Sequence, residues 1–364
     1  MRVLITGGGT GGHCTPAIAV AEALRQTDPE VVITYVGRAG GPESQLVPLA
    51  GLDFAGLRLG SMGSSAISSV PRLALRLPLV SREASRLVRR FRPQVVLATG
   101  GYVCVPVVLA ARRRSIPVLL LEQNMLPGRA VQWLATRVRQ VASSFPGTAQ
   151  YLPRAEVVCT GNPVRVQFAE LAGSPPLPQA PQTLLVMGGS QGARHLNEVL
   201  LEALPSLLAR SPQLTVVHLT GPTDHLQVVT AAREAGLPVG ERYQPSPFVS
   251  DVAERLAAAS LVVMRAGGSS LAEVACLGRP MVLVPYPHAG EHQSANALPF
   301  EEVGAALTIP DHELTAERLE AAVLEVLGDP ERGRAMARAS AAMARPRAAF
   351  EVAELLRQLA GPRV

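Results

Sequence analysis

The side chains of this 364-residue chain best suited to chemistry follow runs of glycine. Gly7-Gly8-Gly9-Thr10-Gly11-Gly12-His13 comes after a short apolar run, Val3-Leu4-Ile5-Thr6, and before an alanine-rich stretch. At such a strand-to-helix turn the unpaired N–H groups and the helix dipole favour an anion, and glycines let it approach closely. His13 closes the loop and can titrate near neutral pH, which makes it the candidate general base. Its simpler use is to hydrogen-bond a phosphate or cap the loop. A second loop, Gly188-Gly189-Ser190-Gln191-Gly192-Ala193-Arg194, repeats the device, with a plain tight turn as the alternative. A third segment, Arg265 to Glu273, offers Gly268, Ser269 and Ser270 at a helix start and Glu273 in its first turns. Glu273 suits a ribose hydroxyl, or merely complements the helix dipole. Pro285 to Ala297 gathers hydrogen-bonding side chains, Gln293 among them, in the density that sugar hydroxyls require, while His288 and His292 set up no metal-ligand spacing.

These groups need rigid elements behind them. Apolar runs at Val3–Thr6, Val31–Val36, Val95–Ala98, Val118–Leu121 and Val157–Cys159 read as buried strands, alternating with helices at Pro16–Gln26 and Val105–Arg113. This alternation predicts a doubly wound parallel sheet. The proline-rich stretch Ser174 to Pro181 reads as a linker or surface loop. The same grammar then restarts, with strands at Thr183–Met187, Thr215–Leu219, Leu261–Met264 and Met281–Pro285 and helices at Ala193–Leu208 and from near Ser270. The fold class is therefore α/β, two Rossmann-like domains expected to face each other across a cleft. The expected division is 1–162, 163–344 and a C-terminal segment 345–364, whose helix Arg347–Leu359 is expected to pack back on the first domain.

Composition narrows the chemistry. Hydrophobic residues make up 48%, aromatics 4% and charged residues 17%, a globular balance. The net charge of +5 is carried by arginine, since lysine does not occur. That removes the P-loop lysine and any Schiff-base lysine. The acid that dinucleotide enzymes place after the second strand is missing too: Val36 is followed by Gly37 and Arg38, which leaves only an NADP-dependent oxidoreductase formally open. Cys14, Cys104, Cys159 and Cys276 are scattered, so neither zinc nor a disulfide framework is suggested and a reducing cytoplasm fits. The N-terminus shows no signal-peptide core, and no apolar run reaches membrane-spanning length. Arginines at 72, 76, 82, 86, 89, 90 and 92, interleaved with leucine and valine, suit an anionic leaflet or equally a core helix with snorkelling arginines. Nucleic acid is not an expected partner, because aromatic residues to stack bases are nearly absent.

Taken in order, Gly8-Gly9-Thr10-Gly11-Gly12-His13, Gly100-Gly101-Tyr102-Val103, Glu122-Gln123-Asn124, Gly161-Asn162-Pro163-Val164-Arg165, Gly188 to Ala193 and His292-Gln293 through Asn296-Ala297 span nearly the whole chain, which resembles the MurG family. The resemblance implies a GT-B fold and inverting transfer of N-acetylglucosamine from UDP-GlcNAc to the C4 hydroxyl of undecaprenyl-diphospho-muramyl-pentapeptide. No cofactor or essential metal is implied, and the place of work is the cytoplasmic face of the plasma membrane, peripherally bound. Thr10, Gly11, Gly12 and Asn124 would then meet the donor sugar from the first domain. Tyr102 lies in a further matching string and counts among the binding residues. Arg165 and Ser190 would serve the donor diphosphate, Val249 would offer backbone to uracil, Glu273 would bind ribose and Gln293 would hold sugar hydroxyls. For the base, Glu122 rivals His13. The chain departs from the family in Cys14-Thr15 after the histidine and in His292 where the family has glutamine; Cys14 reads as a packing residue rather than a nucleophile. A UDP-GlcNAc 2-epimerase, another GT-B transferase or a non-catalytic sugar-nucleotide sensor would share both loops.

Overall fold

The computed structural model describes residues 1–9, 11–59, 66–173, 181–189, 192–287 and 291–361, with side chains of the helix Ala66–Phe91 described from Pro78 onward. Thr10 and Ser190 lie outside the described residues, as do most of the expected linker and the arginines at 72 and 76 as side chains.

The chain divides into two compact units. Unit 1 comprises Met1–Val166 and the segment from Arg345, and unit 2 comprises Gln167–Ala344. Unit 1 holds seven parallel strands: β1 (Arg2–Thr6), β2 (Val32–Arg38), β3 (Asp53–Leu57), β4 (Val95–Ala98), β5 (Val118–Glu122), β6 (Gln140–Ser143) and β7 (Val157–Cys159). Their order is β3-β2-β1-β4-β5-β6-β7. Unit 2 holds β8 (Thr183–Met187), β9 (Thr215–Leu219), β10 (Tyr243–Ser246), β11 (Leu261–Met264), β12 (Met281–Leu283) and β13 (Ala306–Thr308), in the order β10-β9-β8-β11-β12-β13. The central strands are rich in Val, Leu and Ile because helices cover both faces; all four residues of β4 and of β11 are inside.

In each unit the chain winds outward one way and then the other from the first strand. The crevice between β1 and β4, and that between β8 and β11, are therefore topological switch points, where ligands bind beyond the carboxyl ends of strands. The first glycine loop leaves β1 and the second leaves β8. The loops carrying Tyr102 and Gly268–Ser270 leave β4 and β11.

Three boundaries differ from expectation in ways that matter. The first helix starts at Gly11 rather than Pro16, which puts His13 in its first turn; Pro16 only withholds one backbone bond. The helix after β11 starts at Gly268, so Ser269 and Ser270 stand in its first turn. The strand from Met281 ends at Leu283, before Pro285. The terminal helix Ala348–Ala360 belongs to unit 1, where Val352, Ala353 and Leu356 share a core with Val20 and Leu24 of the helix Gly11–Thr27, and Arg357 reaches Thr27.

Inside unit 2, His218 of β9 is fully buried between Tyr243 and Asn197. The Asn197 amide nitrogen donates to Thr220 O at 3.0 Å, so its oxygen accepts from His218 Nε2 at 2.9 Å, and Tyr243 Oη donates to His218 Nδ1 at 2.8 Å. The neutral ring is fully satisfied. Burial, aided by nearby His225, pushes the His218 pKa from 6.5 down to about 3. An unfolded chain takes up this proton below 6.5 while the folded chain refuses it until about 3, so stability should fall as pH drops through that window. The loss is at most about 1.4 kcal/mol per pH unit. Urea midpoints at pH values on either side of 6.5 should show it, with a shallower pH dependence in His218→Asn. Parallel pH profiles for the two proteins would sink this account. The network also bears on the second glycine loop: Gly192, at φ +80°, packs so close to Thr220 that a Cβ would lie 2.4 Å from the Thr220 carbonyl oxygen.

Candidate functional site

A pocket in unit 1 of about 380 Å³ opens beside the β1 loop, lined by Gly8, Gly9, His13, Arg38, Gly101 and Tyr102 among others. Two glycines set its shape. Gly101, at φ +78°, lies so close to the β1 loop that a Cβ would stand 2.2 Å from Gly8 O, and a Cβ on Gly8 would stand 2.1 Å from Glu43 Oε1. Glu43 is completely buried and accepts from Arg38 N at 2.8 Å and from Gly9 N at 3.4 Å. Gly8, Gly37 and Gly41 thus make room for a carboxylate of the chain itself.

His13 is half-buried in this pocket. Its Nδ1 lies 3.0 Å from Gln123 Oε1, and Thr99 Oγ1 donates to its backbone carbonyl at 2.9 Å. Glu122, 1% exposed at the end of β5, is fully engaged: Oε1 accepts from Asn124 N at 2.9 Å and Asn124 Nδ2 at 3.0 Å, and Oε2 from Gly128 N at 3.0 Å. Glu122 therefore shapes the loop that presents Asn124, and His13 is the candidate base with a nitrogen to spare. Cys14 is fully buried, where burial pushes its thiol up to about 11, despite a hydrogen bond from Tyr35; it stays protonated as a packing residue.

In unit 2 the candidates stand on loops and helix starts beyond β8, β10, β11 and β12. Glu273 lies on the inner side of the helix Gly268–Cys276, 7% exposed. Asn296 is buried and its Nδ2 donates to Ala266 O at 3.1 Å, tying the helix His292–Glu302 to the β11 loop. Gln293 Oε1 accepts from Tyr286 N at 2.9 Å, so it holds the segment after β12 as well as bordering it. Arg265 donates to Val284 O at 3.2 Å and pairs with Asp311, which also meets His195 at 3.3 Å. Burial raises the Asp311 pKa, but its bonds to Arg265 and His195 outweigh this and hold it below the usual carboxylate range. Val249 is half-buried in the loop after β10. Arg165, half-buried, is the penultimate residue of the main segment of unit 1 rather than part of unit 2.

Sequence reasoning assigned no role to Glu43, Gln123 or the Arg265–Asp311 pair. The clustering of Gly37, Gly40 and Gly41 ahead of Glu43 was the available signal for the first. Among the described residues no cluster of three or more His, Cys, Asp or Glu side chains could hold a metal ion.

Comparison with known proteins follows the same lines. Residues 3–143 match the glycosyltransferase family 28 N-terminal domain and residues 183–352 its C-terminal domain. A protein of Desulforudis audaxviator is 38% identical over 99% of both chains, and one of Moorella thermoacetica 40% identical over 98% of both. Each carries the name UDP-N-acetylglucosamine–N-acetylmuramyl-(pentapeptide) pyrophosphoryl-undecaprenol N-acetylglucosamine transferase. The crystal structure of Acinetobacter baumannii MurG covers 98% of this chain, and 99% of that protein is covered in turn, with TM-score 0.76 and 28% identity. A putative UDP-N-acetylglucosamine 2-epimerase from Listeria monocytogenes shares the fold at 16% identity and TM-score 0.72, covering 96% of this chain and 94% of its own. With two doubly wound units of the GT-B class and relatives of this identity along nearly its whole length, the chain belongs to the MurG family of glycosyltransferases.

Proposed function

We propose that the chain transfers N-acetylglucosamine from UDP-GlcNAc to the C4 hydroxyl of undecaprenyl-diphospho-muramyl-pentapeptide, converting lipid I to lipid II with inversion at the anomeric carbon. What carries the reading is the near full-length match to relatives named for this transfer. In the reaction the acceptor O4 attacks C1 of the donor sugar, the C1–O bond to the β-phosphate breaks, and the O4 proton passes to His13. We assign Thr10, Gly11, Gly12, Tyr102 and Asn124 to the reacting sugar. Charge growing on the departing UDP is met by Arg165, by the helix N-terminus after Ser190 and by the helix that begins at Gly268, with no metal needed. Glu273 takes the ribose, the backbone at Val249 the uracil, and Gln293 the sugar hydroxyls.

The acceptor is a membrane lipid, and we read the enzyme as peripheral on the cytoplasmic face of the plasma membrane. Among the described residues no helix is long and apolar enough to cross a membrane. The helix Ala66–Phe91 buries Val80, Ala84 and Val88 and turns Arg82, Arg86 and Arg89 outward. With Arg113 and Arg114 they line a concavity of about 490 Å³, a setting that attracts anionic headgroups.

One experiment tests both parts: UDP release from UDP-GlcNAc with lipid I carried either in anionic vesicles or in detergent. Release should depend on the acceptor, and Arg82→Glu/Arg86→Glu/Arg89→Glu should raise the apparent KM for vesicle-borne acceptor about 10-fold or more while leaving detergent turnover near wild type. UDP release without acceptor would sink the transfer; equal losses in both formats would sink the membrane surface.

A further inference from the structure

We propose that Gln123 is a positioning residue that holds His13 with its proton on Nδ1, so that Nε2 is the nitrogen offered to the acceptor hydroxyl. This rests on the reading of His13 as the base.

The observation is a chain of hydrogen bonds with only one consistent direction. Gln123 is 3% exposed, and its Nε2 donates to Thr99 O at 3.0 Å and to Leu121 O at 3.2 Å. Both amide protons are thereby used. Turning the amide over would set its oxygen against two carbonyl oxygens inside the protein, leaving both unpaired, so the orientation follows from the network. The amide oxygen then faces His13 Nδ1 at 3.0 Å. An amide oxygen only accepts, so Nδ1 must carry the hydrogen.

Two further contacts stop the ring escaping. Thr99, whose carbonyl takes one Gln123 proton, donates through Oγ1 to His13 O at 2.9 Å and so pins the same residue from its backbone. Gly100 lies against the ring, where a Cβ would stand 2.9 Å from Cε1 and 3.1 Å from Nδ1. Free neutral imidazole prefers its proton on Nε2, the form in which Nε2 accepts nothing. Gln123 reverses that preference. When Nε2 takes the acceptor proton, the Nδ1–H bond to the Gln123 oxygen is kept, so the ring need not turn to receive it.

The test reads the tautomer directly. In protein labelled with 15N-histidine, the ring signals of His13 are identified among seven histidines by their loss in His13→Gln. In wild type the neutral ring should show a protonated, pyrrole-type Nδ1 and a pyridine-type Nε2. The reverse pattern overturns the proposal with no need for any variant to fold or turn over. In Gln123→Met, which keeps length but offers no amide, the signals should move toward the Nε2–H form. Its kcat should fall about 10- to 100-fold with little change in KM for UDP-GlcNAc. Retention of Nδ1–H in that variant also overturns the proposal. If the tautomer changes while kcat stays at the wild-type value, Gln123 sets the tautomer as proposed and it is His13 as base that fails.

Discussion

His13→Ala should lower kcat for acceptor-dependent UDP release by about 10²- to 10⁴-fold, the usual contribution of a positioned general base. That range corresponds to about 3–5 kcal/mol of barrier. KM for UDP-GlcNAc should hardly move, because His13 lines the unit 1 pocket with Tyr102 and Gly101, whereas the groups assigned to uracil and ribose stand in unit 2. The competing base makes a different forecast. Glu122 receives three hydrogen bonds from Asn124 and Gly128, so its removal should loosen the 124–128 loop and raise KM together with a fall in kcat. A His13→Ala enzyme within about 3-fold of wild-type kcat would take the base role away from this residue.

Removing the carboxylate of Glu43 should be the most damaging single change to stability in unit 1. Its loss would leave Arg38 N and Gly9 N without their acceptor in a fully buried place and open a void bounded by Gly8, Gly37 and Gly41. Each unsatisfied buried donor costs about 1–3 kcal/mol, and the void adds to that. For Glu43→Ala the sum is about 3 kcal/mol or more, which lowers the unfolding midpoint of a unit this size by roughly 6–12 °C. Scanning calorimetry checks it, and a midpoint within about 1 °C of wild type would show that the loops find other partners. Glu43→Gln, which keeps one acceptor oxygen for Arg38 N, should fall between. Activity should drop beyond the loss of folded protein, since the β1 loop that Glu43 anchors carries Gly8 and Gly9 into the pocket.

The sheets were legible in the sequence where strands are central. Val95–Ala98 and Leu261–Met264 are uninterrupted apolar runs, because helices on both faces demand it, and Thr183–Met187 and Thr215–Leu219 are apolar but for a leading threonine and, in the second, His218. The strands that escaped notice are β3, β6, β10 and β13. Three of these lie at sheet edges, where Asp53, Gln244 or Pro245 is tolerated because one side of the strand needs no partner. The fourth, Gln140–Ser143, is too short and mixed to stand out. At the site, the glycine loops follow β1 and β8, the strands at which the winding of each sheet reverses. Their purpose was read too narrowly. Gly8 is legible as room for a ligand, yet what crowds it is Glu43, and what requires a glycine at 101 is the Gly8 carbonyl. Spacing along a chain cannot reveal such a need, because Glu43 arrives from 34 residues beyond Gly9.

The terminal helix Ala348–Ala360 completes the core of unit 1 only after the whole of unit 2 has been threaded between. On a translating ribosome β1 and the helix Gly11–Thr27 must therefore wait for a helix made after all of unit 2. Unit 2 is continuous in the chain and can close its own core as it leaves the exit tunnel, while β1 and the helix Gly11–Thr27 still lack Val352 and Leu356. In vivo, the half that carries His13 is the one with the longer exposure to chaperones and proteases. A stop codon a few residues before Ala348 would thus injure the amino-terminal half of the protein and spare the half next to the lesion.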